Sequence, residues 1–149
     1  TAKSADSIAF AREAVIAHVV YSPEVRHPVE VGADQEAHLV AWLSKRLGAS
    51  LKVPHLQAVG YQLVGGRLLP GNQGPVAQFM FQYGNGRRLT LYVRRGARDS
   101  SETAFRFAQE RGVGVFYWLD GKFGYALSGE IDKAALLRVA EAVYQQLNP

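Results

Sequence analysis

From Ser4 to Val20 the apolar residues Ile8, Ala11, Val15, Ile16, Val19 and Val20 recur three and four positions apart, behind the polar residues Ser4, Asp6 and Ser7. That spacing predicts an amphipathic helix over 4–20 with capping groups at its start. Ser22-Pro23 ends it, because the residue before a proline is pushed out of helical backbone. Val29-Glu30-Val31 reads as a short extended stretch. A second helix is predicted from Asp34, its N-cap, to Leu47, with Leu39, Trp42, Leu43, Arg46 and Leu47 on one side and Gly48 as its stop.

The period then changes from helical to alternating. Segments 57–64 and 67–69 flank Gly65-Gly66, segments 76–84 and 87–93 flank Asn85-Gly86, and segments 113–119 and 122–128 flank Asp120-Gly121. Such dipeptides supply the positive φ angles that match strand twist, so three hairpins are predicted. Between the second and third, Ser100 or Ser101 is expected to cap a short helix through Ala104, Phe105, Phe107 and Ala108 that stops at Gly112. A final helix from Asp132 to Leu147 carries Leu136, Ala140, Val143, Tyr144 and Leu147 as one stripe. The expected fold is α+β: an antiparallel sheet of about six strands with helices, including the N- and C-terminal ones, packed on one face. No repeat or linker divides residues 1–149, which read as a single domain.

Composition narrows the chemistry. The 149 residues include no cysteine, which excludes disulfides, thiolate metal sites and a cysteine nucleophile. No stretch approaches the roughly 20 apolar residues that span a bilayer. Thr1-Ala2-Lys3-Ser4 offers neither an initiator Met nor a signal-type apolar run, and the chain is expected to be a piece of a longer protein. The +4 net charge is local: residues 86–111 hold seven arginines against three acids, and the remainder is balanced. Any polyanion reading therefore rests on that segment.

Motifs for nucleophilic, zinc-hydrolytic and nucleotide-binding chemistry are absent. Arg111-Gly112-Val113-Gly114 leads into a strand rather than a helix N-terminus. Asp34 and His38 lie one helical turn apart, with His27 and Glu30 shortly before, and are weak metal candidates. The competing reading makes Asp34 a cap and packs His38 beside Trp42. His18 reads as a helix-flank residue and His55 as a loop residue. Acid pairs such as Glu24 with Glu30, or Asp120 with Glu130, occur at turns where acids are common. Neither catalysis nor a cofactor is expected.

Two surfaces are candidate ligand or partner sites. Alternation puts Arg88, Tyr92 and Arg94 on one face of the strand 87–93 with Arg95 at its exit, a patch suited to anions or to a solvated, salt-bridged face. Phe116, Trp118 and Tyr125 cross the third hairpin, either as sheet-stabilising pairs or as the floor of a groove under the last helix.

The runs Arg26-His27-Pro28-Val29-Glu30-Val31, His38-Leu39-Val40-Ala41-Trp42-Leu43-Ser44-Lys45-Arg46-Leu47-Gly48, Gly65-Gly66-Arg67-Leu68-Leu69-Pro70, Leu89-Thr90-Leu91-Tyr92-Val93 and Gly124-Tyr125-Ala126-Leu127-Ser128-Gly129, in this order, resemble the extracytoplasmic part of proteobacterial transmembrane anti-sigma factors. The resemblance extends over about residues 24–147. It implies a periplasmic sensing domain of a single-pass inner-membrane protein. The cytoplasmic segment that holds an extracytoplasmic-function sigma factor would lie outside this chain, and helix 4–20 would connect towards the membrane. It also implies an unidentified periplasmic signal or protein as partner and no nucleic-acid contact by this domain. The alternative is a stand-alone periplasmic module that binds a ligand or protein.

Overall fold

In a computed structural model, which describes residues 2–96 and 105–148, three helices surround a seven-stranded antiparallel sheet. Helix α1 (Ala2–Tyr21) is followed by the two-residue strand β1 (Val31–Gly32), a 3-10 turn (Ala33–Gln35) and helix α2 (Glu36–Leu47). A second 3-10 turn (Gln57–Val59) leads into β2 (Tyr61–Gly71), β3 (Gly74–Tyr83) and β4 (Arg88–Arg95). Strands β5 (Arg106–Glu110), β6 (Val113–Leu119) and β7 (Phe123–Gly129) precede helix α3 (Lys133–Leu147). The spatial order is β1-β2-β3-β4-β7-β6-β5, so the last hairpin returns its second strand beside β4. The α+β class is as expected, with seven strands in place of six.

Two expected local elements are corrected, both at glycines. Gly65-Gly66 is not a hairpin turn. It lies inside β2, where the register with β3 shifts between Leu63 and Gly65. A glycine in a strand interior marks a bulge or a close backbone approach as readily as a turn. Here it marks both, since a Cβ on Gly65 (φ +152°) would come 2.2 Å from the Val31 carbonyl oxygen of β1. The actual turn is Asn72-Gln73, closed by the Gly71–Gly74 pair. Likewise, the short helix expected up to Gly112 is strand β5 over its described part, paired from Arg106–Tyr117 to Glu110–Val113. Arg111 (φ 54°) and Gly112 (φ 76°) both adopt the left-handed backbone of a two-residue hairpin turn. The cap candidates Ser100 and Ser101, and Ala104, lie outside the described residues.

The other boundaries follow their local chemistry. Leu39, Leu43 and Leu47 form the buried stripe of α2, which ends at Gly48 in the left-handed conformation. The Asp132 carboxylate accepts the Ala135 N–H at 2.8 Å and caps α3, whose buried stripe is Leu136, Val139, Ala140 and Val143. Leu136 lies against a notch in the sheet where Gly114 and Gly129 pair: a Cβ at Gly114 would come 3.3 Å from the leucine, and one at Gly129 3.6 Å.

The helices do not share one face. Helices α2 and α3 cover one side with the main core, which includes Phe79, Leu91, Trp118 and Leu127. Helix α1 covers the opposite side, over Val76, Tyr92, Val115, Tyr117 and Ala126. It buries Phe10, Ala11, Ala14, Val15, Ala17 and His18, whereas Ile8, Ile16, Val19 and Val20 of the expected stripe are exposed. Because α1 is apolar around most of its circumference, periodicity alone does not select its buried face.

Candidate functional site

Wherever α1 meets the sheet, polar groups and cations supplement a thin apolar layer. Its buried face is built largely from alanines, which allow the helix to lie close to the strands but bury little area. Around this layer, the Arg12 guanidinium pairs with the Glu110 carboxylate of β5 at 2.8 Å. Glu13 accepts the N–H of Asn72 in the β2–β3 turn at 2.8 Å. The Arg94 guanidinium lies over the Phe10 ring, 4.2 Å from its centroid, a cation–π contact.

The C-terminal end of α1 carries the most concentrated chemistry. His18 is completely buried, its Nδ1 2.8 Å from Thr90 Oγ1 on β4 and its Nε2 3.4 Å from the exposed carboxylate of Glu130, just after β7. A carboxylate can only accept, so the proton belongs on Nε2, and the Thr90 hydroxyl donates to Nδ1. Burial pushes the His18 pKa below its ordinary value and outweighs the attraction of Glu130, which leaves the ring neutral. Nucleophile, base and carboxylate are thus in line, but Thr90 is only 1% exposed. With α1 docked, the hydroxyl is closed to any substrate.

Beyond His18, two arginines hold the chain as it leaves the helix. Arg88 of β4 donates to the carbonyls of Ser22 and Glu24 and to the Gln82 side chain. These carbonyls lie just past the last turn of α1, at the end of the helix where the macrodipole favours a cation. Arg67 of β2 donates to the His27 carbonyl at 2.6 Å and lies 3.9 Å above the Tyr21 ring.

The candidates named from sequence are distributed as follows. Arg88 and Arg94 serve α1, and Arg95 donates to the Gly48 carbonyl at the end of α2, 2.8 Å away, so the arginines of this basic strand fasten helices. Tyr92 is buried beneath Phe10, ring centroids 5.7 Å apart. Burial raises its pKa, with Glu13 adding and Arg94 opposing. Phe116, Trp118 and Tyr125 do not form an open groove floor; all three are buried in the main core. Trp118 and Tyr125 stack at 5.3 Å, Phe105 and Tyr144 pack on Trp118, and the indole N–H donates to Asn148. Tyr125 has its pKa raised by burial and by the Asp120 carboxylate.

Asp34 and His38 are exposed, and among the described residues no three metal-ligating side chains converge. His55 ties α2 to α3, with its ring 3.0 Å from Glu36 and its backbone paired both ways with the Gln146 side chain. His18 was legible only as a flank residue. Its place one turn after Ala14 and two after Phe10 is the signal that puts it on the buried stripe.

Fold and site together define a class: an α+β domain whose antiparallel sheet carries an apolar two-helix layer on one side and a single polar-fastened helix on the other. No family model, curated protein or solved structure matches the chain.

Proposed function

We propose that this chain is the periplasmic sensing domain of a membrane-anchored anti-sigma factor, with α1 as the element that carries the signal. The supporting observation is the attachment of α1 to the sheet through His18–Thr90, Arg12–Glu110 and Arg88–Ser22/Glu24, over a largely alanine-built contact. A signalling element has to exchange one set of contacts for another without unfolding its domain. Helix α1 meets that requirement, because the main core is built by α2, α3 and the opposite face of the sheet. The resemblance of the sequence runs quoted above supports the same reading. In it, a membrane span and a sigma-binding cytoplasmic segment precede α1. The described residues contain no helix long and apolar enough to cross a membrane.

The test uses the whole reading frame in cells with a sigma-dependent reporter. Ala14→Leu, which wedges α1 from the sheet, is expected to change basal or induced output. Glu141→Gln on the outside of α3 should leave both unchanged. Equal output from all three proteins overturns the reading. So does a cleavable signal peptide directly before Thr1, which marks a free periplasmic binding module instead.

A further inference from the structure

A cleft of about 340 Å³ opens between the β3–β4 turn and α3. Arg87, on the turn, and Arg138, on α3, both line it and are both exposed. Among the described residues the ion pairs are Arg12–Glu110, His18–Glu130 and His55–Glu36, so neither guanidinium is matched by a carboxylate. Asp132 is the one acid in the lining, and its Oδ1 is engaged by the Ala135 N–H as the cap of α3.

The rest of the cleft is shaped for more than a bare ion. Tyr61 and Tyr83 form one wall, ring centroids 5.2 Å apart. The Tyr83 ring lies directly on the backbone at Gly60, where a Cβ would come 2.2 Å from it. Val59, Ile131 and Val139 supply apolar surface. The field of Arg87 reaches the Tyr61 hydroxyl and offsets part of the rise that burial causes in its pKa. Guanidinium groups match carboxylate and phosphate oxygens with two parallel hydrogen bonds. The volume lies near the lower end of small-molecule sites, about 300–1,000 Å³, too small for an intact lipid.

We infer that this cleft is a binding site for a small amphiphilic oxyanion, a carboxylate or phosphate monoester on a short apolar or aromatic body, with Arg87 and Arg138 holding the head group and Tyr61, Tyr83 and Val139 the body. The site shares no residue with the α1 attachment and stands apart from the sensing role.

The test is a titration of the ¹⁵N-labelled chain, at fixed ionic strength, with octanoate and with phenyl phosphate, against inorganic phosphate and benzyl alcohol as controls. Saturable amide shifts confined to 59–61, 83–87 and 135–139 are expected, with at least one amphiphile binding about tenfold more tightly than either control. Whichever head group binds better identifies the source of the oxyanion. Arg87→Gln and Arg138→Gln should each weaken binding about threefold or more, and the pair should abolish it. The Arg87 hydrogen bond to Asn85 is made by its backbone N–H, which the substitution keeps, and the dispersion of each variant's spectrum checks that the fold is retained. Arg46→Gln, on α2 beside the β2–β3 turn and outside the cleft lining, should change nothing. Equal affinity for inorganic phosphate and phenyl phosphate, shifts elsewhere, or an equal loss with Arg46→Gln overturns the proposal. Binding only to phosphatidylglycerol vesicles and to neither soluble amphiphile also overturns it, in favour of a membrane surface.

Discussion

Strands β4 and β7 present Leu89, Leu91, Val93, Phe123, Tyr125 and Leu127 to the face under α2 and α3, and Thr90, Tyr92, Arg94, Gly124, Ala126 and Ser128 to the face under α1. One pair of strands thus builds two different interfaces by alternation alone. The buried polar residues His18, Gln78, Thr90 and Ser128 all belong to the α1 side. Three of them, His18 at Nε2, Gln78 at Nε2 and Ser128 at Oγ, lack hydrogen-bond partners among the described residues, the histidine having only the Glu130 carboxylate at 3.4 Å. A buried unsatisfied polar group costs about 1–3 kcal/mol. Lifting α1 returns that cost by letting water in, whereas opening the other face only exposes hydrocarbon, at about 1.5–3 kcal/mol per large side chain. The difference makes α1 a unit of low local stability on a cooperative base.

The largest expected effect tests the base. Leu136→Ala empties the glycine notch of Gly114 and Gly129 and should cost about 2–5 kcal/mol in urea unfolding, with the whole domain melting in one transition. On the other face, Ala14→Leu forces extra volume into a fully buried position of α1 and should cost about 1–3 kcal/mol. Hydrogen exchange should then accelerate in α1 while α2 and α3 keep their protection. If Ala14→Leu instead destabilises every element equally, the two faces form one cooperative unit and the contrast fails.

The next effect is smaller and pH-dependent. Because the folded-state pKa of His18 lies below its ordinary 6.5, the unfolded chain takes up a proton that the folded one refuses. The contribution of His18 is therefore fully present above pH 6.5 and is lost as pH falls from there through the folded value. Glu130 faces the ring from the end of β7, Thr90 faces it from β4, and Arg88 lies two residues before Thr90 on the same strand face. Glu130→Gln removes the attraction that partly holds the pKa up, and should widen the sensitive range towards lower pH. His18→Gln should flatten it. Urea midpoints between pH 5 and 7.5 check both, and identical slopes in all three proteins would break the link between His18 and the α1 interface.

What the sequence revealed of this contrast depended on how far each signal was local. Leu39, Leu43 and Leu47 of the α2 stripe, the Asp132 cap and the turns at Asn85-Gly86 and Asp120-Gly121 are contained within a few residues and stand where expected, whereas Arg46 is exposed and Asp34 lies inside the 3-10 turn and makes no capping hydrogen bond among the described residues. Gly65-Gly66 misled because a bulge and a turn ask for the same backbone freedom, and only the partner strand decides between them. The segment before Gly112 misled because Phe105 and Phe107 fit a strand's alternation as well as a short helix. The face buried by α1 was hidden because Ile8, Ile16 and Val20 outweigh Phe10 and three alanines in any hydropathy count. Chemistry at the α1 face was less legible still. His18, Thr90 and Glu130 meet across more than 70 residues of chain, and the arginines that read as a surface patch have their partners on helix ends far away in sequence.

Those arginines give the smallest and most selective test, since Arg88 and Arg95 sit at opposite ends of β4 and each holds the end of a helix from a different face. The Arg88 guanidinium donates to two carbonyls after α1 and, through Nε, to Gln82, while Arg95 is exposed and, among the described residues, donates to the Gly48 carbonyl alone. A lysine keeps the charge but has a single ammonium with no fork, and it cannot span three acceptors arranged for a planar group. Arg88→Lys should therefore cost about 1 kcal/mol, with exchange accelerated at residues 18–25. Arg95→Lys, which keeps a cation near one exposed carbonyl, should cost only a few tenths, about 0.3 kcal/mol. The ratio matters more than either value. If the two substitutions cost the same, the α1 terminus is no more dependent on fixed polar geometry than that of α2, and the difference between the two faces then lies in their apolar layers alone.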